Sequence, residues 1–448
     1  MARLTDDCFA FDGPPVTVEE ARARLLARIG PVAGEETVPL DRAAGRVLAA
    51  DVTARVDVPP YDNAAVDGFA LHADDLPVGG EVALPVTGRV AAGHPLGRPQ
   101  RRGEAVRIFT GAPIPHGEDE SAAVPDTVMM VEDARVETGI DGVERVTLPA
   151  GLARGANLRR AGEDVAAGSI ALREGVRLSP PEVGLLAALG LDRVPVRRPL
   201  RVALFSTGDE VAVPGGPLAP GKLYDSNRYM IGSALRGLGF DVRDLGILPD
   251  RRAAIEGTMT AAAREADAIL STGGMSMGEE DHVRAAIEAL GRLSFWRIAI
   301  KPGRPVGMGM LPDGSGGHTP FVGLPGNPVA ALTTFVLLAR PMLRALQGER
   351  VTEPRCFPVT LGFAYKKKAG RREYLRVALE TPSTAGSLEG APTASAMALP
   401  VARRHGKGGS AMLSSLVGAD GFVDVAEDRT HLEEGETVAF LPFSEVLR

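Results

Sequence analysis

Over residues 201–348 the chain alternates short apolar runs with turns of glycine and polar residues, and amphipathic helices fill the gaps. That rhythm admits few folds. Strand and helix in strict alternation call for a parallel sheet with helices on both faces, because each crossover has to lie across the sheet. The runs at 202–205, 268–270, 295–300 and 321–322 read as the strands. Helical stripes lie between them: Ile231, Leu235, Leu238; Ile255, Met259, Ala262; Val283, Ile287, Leu290; and Leu332, Val336, Leu343, Leu346. In an open parallel sheet, ligands bind outside the carboxyl ends of the strands. Here those ends break into STGDE (206–210), STGGMSMGEED (271–281), KPGRP (301–305) and GLPGNP (323–328). Glycine, carboxylate, lysine and arginine at four strand ends point to a binding site.

The flanks follow other rules. At 448 residues the chain exceeds one ordinary core, so roughly two to four domains are expected. Thr17 and Glu20 form a capping box ahead of Val18, Ala21, Leu25 and Ile29 at helical spacing. A second short helix is expected between Leu40 and Leu48, with Pro39 ahead of it and Asp41 as candidate N-cap. Residues 51–149 switch to short alternating runs cut by glycine and proline, among them 82–86, 105–108 and 145–148, which is the pattern of a β-rich module. Ser179 and Glu182 make another capping box, with proline at the first helical position and Gly190 at the end. The helices before residue 50 and after 179 are expected to pack together, leaving the β module as an insertion. Beyond Gln347 and Gly348, runs at 357–361, 373–379 and 437–440 read as a small C-terminal β domain.

Composition removes several classes of function. A net charge of −7 with interspersed signs, and only 4% aromatic residues, argue against nucleic acid as a partner. Cys8 and Cys356 are the only cysteines and have no short spacing, so neither a disulfide framework nor a cysteine metal site is expected, and a reducing cytoplasm fits. The acidic N-terminus lacks the apolar region of a signal peptide. No run approaches the roughly 18 consecutive apolar residues of a membrane helix, so no membrane partner is expected. The histidines show no paired metal-ligand spacing.

Each candidate site residue has a plain structural explanation beside the functional one. A tight turn explains Gly273 or Gly274 singly, but with Ser276, Gly278 and an acidic run in the same loop they can present N–H groups to an anion. The Pro325, Gly326, Asn327 turn fits ordinary helix entry, and it also sets N–H groups and a helix dipole where a phosphate sits well. No Gly-Lys-Ser/Thr follows, so it is not a P-loop. Glu210, Asp250 and Asp281 each follow a predicted strand. Singly they are turn or cap residues; together they offer oxygen ligands to a hard cation such as Mg²⁺. Lys301 and Arg304 flank a stiff Pro-Gly pair and suit an oxyanion, or else a surface salt bridge. Asp62, Asn63 and Asp67 crowd a turn, as Asx residues do for local reasons; Thr110 and Asp164 stay equally open.

Taken together the chain resembles the MoeA-type molybdopterin molybdenumtransferases, bacterial relatives of the gephyrin E domain. The likeness rests on PPYDNAAVDGFA (59–70), IFTGAPIP (108–115), RRAGEDV (159–165), FSTGDEV (205–211), YDSNR (224–228), STGGMSMGEEDH (271–282), AIKPGRPV (299–306) and GLPGNPVAA (323–331), in family order. GRREYLRV (370–377) and HGKGGSAMLSSL (405–416) extend it towards the C-terminus. The central domain alone is also similar to molybdopterin adenylyltransferases.

The resemblance implies a multidomain α/β plus β fold. Its parts are a helical dimerisation domain (1–50 and 155–198), an inserted β-rich domain (51–154), a central doubly wound α/β domain (199–349) and a C-terminal β-barrel (350–448). It implies a homodimer whose active site lies between the central domain of one subunit and the β insertion of the other. The implied substrates are adenylylated molybdopterin and molybdate, with Mg²⁺ as cofactor, AMP as product, and an adenylyltransferase and molybdoenzyme maturation factors as further partners. Asp67, Thr110, Asp164, Glu210, Asp250, Asp281, Lys301 and Arg304 match catalytic positions. Glu210, Asp250 and Asp281 are the implied metal ligands. Asp62, Asp225, Asn227, Gly273, Gly274, Ser276, Gly278, Pro325, Gly326, Asn327, Arg376 and Ser410 are the implied substrate contacts. Arg304 stands where the family pattern has lysine, which keeps the charge but changes hydrogen-bond geometry. Two rivals remain: an adenylyltransferase that makes the adenylylated pterin, and a non-enzymatic scaffold.

Overall fold

In the Arg201–Thr207 strand, alternate side chains face opposite ways. Val202 and Leu204 enter one buried cluster, Ala203 and Phe205 another. This period of two, with both faces buried, places the strand in the middle of a three-layer α/β unit. The computed structural model describes residues 4–5, 9, 15–116, 124–274, 282–303, 306–381 and 399–447.

The central sheet has six strands in the order Asp241–Leu248, Arg201–Thr207, Ala268–Thr272, His318–Leu324, Val306–Pro312, Arg292–Trp296. The first four run parallel, in register at Ala203↔Arg243, Ala203↔Ile269 and Ile269↔Phe321. The last two are antiparallel additions, with Met308↔Val322 and Ser294↔Met308. The sheet is therefore mixed rather than wholly parallel. The expected strand at 295–300 divides: Arg292–Trp296 belongs to this sheet, whereas Ile300–Lys301 pairs in parallel with Arg372 and Glu373 of the C-terminal sheet.

Helices Arg252–Glu265 and His282–Leu290 cover one face through Ile255, Met259, Ala262, Val283 and Ile287. The other face is covered by Asn227–Gly237, by Val18–Arg28 and by the helix Pro328–Gln347. Pro328–Gln347 is long and apolar enough to cross a membrane, which the reading of consecutive apolar residues overlooked, but it is the buried core helix of this unit. Pro341 lies within it and has no N–H to donate. The preceding turn, Phe335–Ala339, widens to π geometry, with the Arg340 N–H reaching the Phe335 carbonyl five residues back.

Both capping boxes form, at Thr17 with Glu20 and at Ser179 with Glu182. Their helices part company, however. Val18–Arg28 packs on the central unit through Val18, Ala21 and Leu25, whereas Pro180–Ala188 joins a separate cluster with Val38, Leu48, Leu178, Val194 and Val196. The expected pairing of these two helices gives way because the buried stripe of the first is taken up by the core helix. Around that separate cluster the order is Glu35–Pro39, Arg193–Arg197, Val47–Leu48. The helix expected between Leu40 and Leu48 is only a 3₁₀ turn, Leu40–Arg42, capped by Pro39 without a side-chain bond, and the chain then returns to strand.

Residues between these pieces form a six-stranded sheet in the order Thr127–Met130, Gly68–Leu71, Ala105–Ile108, Glu81–Val90, Glu144–Pro149, Arg135–Thr138. At the C-terminus Arg372–Glu380, Val401–Arg404, Phe357–Leu361, Thr437–Pro442 and Gly421–Val425 pair in that order. The last pairs back to the first, with Arg376↔Phe422, so the barrel closes.

Candidate active site

The carboxyl ends of the Arg201–Thr207, Ala268–Thr272 and His318–Leu324 strands open onto a cavity of about 540 Å³, lined among others by Thr207, Glu210, Asp225, Asn227, Gly273 and Gly326. Gly274 is confined by geometry: its φ is +67°, and a Cβ there would meet Val283 Cγ2 at 2.5 Å and Thr207 Oγ1 at 2.7 Å. Beneath the cavity Asp225, 3% exposed, accepts from Ser206 Oγ at 2.6 Å, Arg228 Nε at 2.8 Å and Arg228 N at 3.1 Å. Ser206 also meets Thr272 Oγ1 at 2.9 Å. Arg228, itself 5% exposed, reaches on to Asp244 with both contacts at 2.6 Å. Burial opposes the Arg228 charge, but its bonds to Asp225 and Asp244 prevail and hold its pKa above the usual arginine value. Asp225 is thus spent largely on holding the floor together.

Asn227 donates Nδ2 to the Gly326 carbonyl at 2.6 Å, and its Oδ1 is buried without a hydrogen-bond partner. A buried acceptor on a cavity wall awaits a donor. The turn before the core helix is less open than its sequence implies, because the Val329 N–H already donates to the Ser410 carbonyl at 2.9 Å.

A second cavity, about 500 Å³, adjoins the first at Asn327, between the central unit and the barrel. It is cationic: Lys301, Arg371, Arg376 and Arg404 line it, with Ser410 and Pro325. Lys301 Nζ lies 3.2 Å from both oxygens of Glu373, a carboxylate 3% exposed that also accepts from Tyr365 at 2.5 Å. Burial, and then Glu373, push the Tyr365 phenol up to about 12. Burial, and then Arg404, lower the pKa of Arg376, whose Nε is buried without a partner. Two arginines side by side, one with a donor unspent, suit a bound oxyanion.

The remaining predicted residues sit elsewhere in the chain. Asp67 Oδ1 accepts from Thr110 N and Thr110 Oγ1, both at 2.8 Å, on the exposed face of the inserted sheet. The Thr110 N–H, then its hydroxyl, hold the Asp67 carboxyl below the usual aspartate range. Asp62 accepts from Ala161 N at 2.8 Å and pairs with Arg160 at 2.5 Å; Ile114 N–H bonds its carbonyl, and Asp164 N–H bonds the Val58 carbonyl. Asp62, Asp67, Thr110 and Asp164 therefore belong to one knitted region of exposed or half-exposed residues, and none of them lines either cavity. Asp250 stands at the end of the edge strand; the helix after it starts from Arg251 without a side-chain cap. Ser276, Gly278, Asp281 and Arg304 lie outside the described residues.

The chain is 36% identical over 434 residues to the molybdopterin molybdenumtransferase of Haemophilus influenzae, covering 96% of this chain and 100% of that one. This chain belongs to the MoeA family. A second relative, molybdopterin molybdenumtransferase 2 of Mycobacterium tuberculosis, is 34% identical over 422 residues, 92% of this chain and 96% of its own. The family models agree along the length. The MoeA N-terminal region (domain I and II) matches residues 16–190, a probable molybdopterin binding domain 203–345, and the MoeA C-terminal region (domain IV) 358–443. Among solved structures, the molybdopterin biosynthesis moeA protein of Pyrococcus horikoshii OT3 superposes with a TM-score of 0.75 at 28% identity, covering 96% of this chain and 100% of that one.

Against this MoeA frame, sequence reading missed Arg371, Arg404, Tyr365 and Glu373, which complete the cationic cavity. For Arg371 and Glu373 the signal was GRREYLRV (370–377) itself, where only Arg376 was singled out; Tyr365 and Arg404 lie outside it. Of the three expected metal ligands, Glu210 alone among the described residues is exposed on the cavity wall, a donor of the kind Mg²⁺ takes along with water and substrate phosphate. Among the described residues no three His, Cys, Asp or Glu side chains gather into a closed cage.

Proposed function

We propose that this MoeA-family chain inserts molybdenum from molybdate into adenylylated molybdopterin, with Mg²⁺-dependent cleavage of the phosphoanhydride and release of AMP. Its membership already supports a role in molybdenum cofactor biosynthesis. The observation that carries the finer reading is the junction of two unlike cavities at Asn327. One offers hydroxyls, a carboxylate and a buried acceptor; the other offers lysine and arginines. A substrate that is a polar heterocycle at one end and a polyanion at the other suits that pair, and molybdate needs the same cations.

In this reading the Asn227 Oδ1 accepts an N–H from the ligand, and the Gly273 and Gly326 turns hold its neighbouring polar atoms. Lys301, Arg304, Arg376 and Ser410 take up the oxyanion, with Glu373 fixing the Lys301 ammonium. Glu210, Asp250 and Asp281 would hold Mg²⁺ directly or through water; when bound, the ion offsets negative charge on the anhydride. Asp62, Asp67, Thr110 and Asp164 act from a partner subunit in a homodimer. Supporting this, they form one exposed region apart from both cavities of their own chain. The same reading keeps the four-part division of the chain stated above, except that Val18–Arg28 packs on the central unit, and a cytoplasmic site of action.

The test is incubation with adenylylated molybdopterin, Mg²⁺ and graded molybdate, measuring AMP and active cofactor. AMP release that rises with molybdate and stops with a chelator is expected. ATP consumption without molybdate would identify an adenylyltransferase instead, and tight peptide binding without AMP release a scaffold.

A further inference from the structure

Where the core helix ends and the chain crosses into the barrel, a small cavity of about 260 Å³ is lined by Arg340, Arg344, Arg355, Thr352 and Ser444, together with Glu353, Glu445 and Pro354. It shares no residue with the two cavities of the candidate active site. Arg340 is 5% exposed; one nitrogen, Nη2, donates to the Glu445 carbonyl at 2.8 Å, while Nε is buried without a partner. A buried guanidinium bonded to a carbonyl, with a donor unspent, is a costly arrangement unless a counter-charge is at hand.

Two of the three nearby carboxylates are already paired. Glu349 takes Arg344 Nε at 2.7 Å and Arg177 Nη2 at 2.8 Å, and Glu353 pairs with Arg22. Counting the groups that face this joint, Arg22, Arg177, Arg340, Arg344 and Arg355 outnumber Glu349, Glu353 and Glu445. Burial first, then the like charge of Arg344, bring Arg340 down to about 10, as expected for a cation short of a counter-ion.

We propose that this cavity binds a small tetrahedral oxyanion of the phosphate and sulfate class, tying the core helix to the linker and the C-terminal helix. The volume is below the roughly 300–1,000 Å³ of pockets for larger organic ligands, and arginine forks with the Thr352 and Ser444 hydroxyls match the donor demand of such an ion. The site is separate from any molybdate held at the active site and does not depend on the proposed reaction.

Titration of the full chain with sodium sulfate, phosphate or molybdate, against sodium chloride at matched ionic strength, tests it by calorimetry and thermal unfolding. An Arg376→Gln background removes a main cation of the active-site cavity. A saturable stabilisation by one sulfate or phosphate per chain is expected there, weakened about tenfold or more by Arg355→Gln and by Arg340→Lys, since each loses a charge-assisted bond. Arg355 is exposed, so its replacement leaves the fold intact and keeps the test decisive even if Arg340→Lys misfolds. No saturable effect beyond chloride, binding lost in the Arg376→Gln background, or binding indifferent to Arg355→Gln would each overturn the proposal.

Discussion

Asp225→Asn separates a residue that builds the floor of the active site from one that touches substrate. The wild-type carboxylate receives three hydrogen bonds, two of them from Arg228, and both residues are buried. The asparagine loses the charge and turns an amide group towards a donor. Removing one partner of a buried ion pair costs about 3–5 kcal/mol. Arg228 keeps Asp244, whose side chain is 37% exposed, so the lower end, about 3 kcal/mol, is expected. Ser206→Ala removes a single hydroxyl and should cost only about 1 kcal/mol. Trp296 is the only tryptophan and is buried in the central layer, so its fluorescence follows that unit during urea unfolding. With a slope of about 2 kcal/mol per molar, the midpoint should fall by roughly 1.5 M in Asp225→Asn. A midpoint within about 0.3 M of wild type, accompanied by weaker substrate binding, would refute the reasoning and make Asp225 a ligand contact.

Asp67→Ala and Glu210→Ala homodimers should each be inactive, but mixing unfolded chains and refolding them together should recover about a quarter of wild-type AMP release, since half the dimers are mixed and carry one whole site; no recovery would place both residues in one subunit's site. Glu373→Gln should bring the Tyr365 phenol down from about 12 towards its ordinary value, seen by ultraviolet titration, and should raise the KM for molybdate by loosening Lys301. For the wild type, a phenol raised on folding contributes stability that is complete below pH 10 and is lost as pH climbs to about 12, so alkaline unfolding should begin later in a Tyr365→Phe protein. Burial opposes the charge of Glu349, yet bonds from Arg344 and Arg177 hold its carboxyl below the usual glutamate range. Its contribution is therefore present above pH 4.5 and lost as pH falls through the folded value; Glu349→Gln should be destabilised near neutrality and less sensitive to acid, as a pH series of unfolding curves will show.

Strand ends and helical stripes were legible because they are local. Three of the expected turns follow central strands, after Thr207, Thr272 and Leu324, and Ile255, Met259, Val283 and Ile287 are all buried. The Val306–Pro312 strand escaped notice because its sequence, VGMGMLP, has glycine where strands favour β-branched residues. Packing explains Gly309: a Cβ would meet Ile287 Cγ2 at 2.8 Å. What no local pattern announces is the meeting of Lys301, Glu373, Tyr365 and Arg404. Those positions are brought together only by barrel closure and by the strand that leaves one sheet for the other. Asp225 was read by its motif as a substrate contact, although Arg228 three residues on was a visible partner.

The parallel pairing of Ile300 and Lys301 with Arg372 and Glu373 bears on how such a protein could have been assembled or taken apart. A chain ending near residue 348 would retain the central sheet but forfeit the strand partner of Lys301, the Glu373 carboxylate that pairs with it and the arginines opposite. The barrel therefore cannot have been an optional appendage once this lysine had work to do. Shuffling it for another β domain would demand a replacement edge strand in the same register, with glutamate at the same rung.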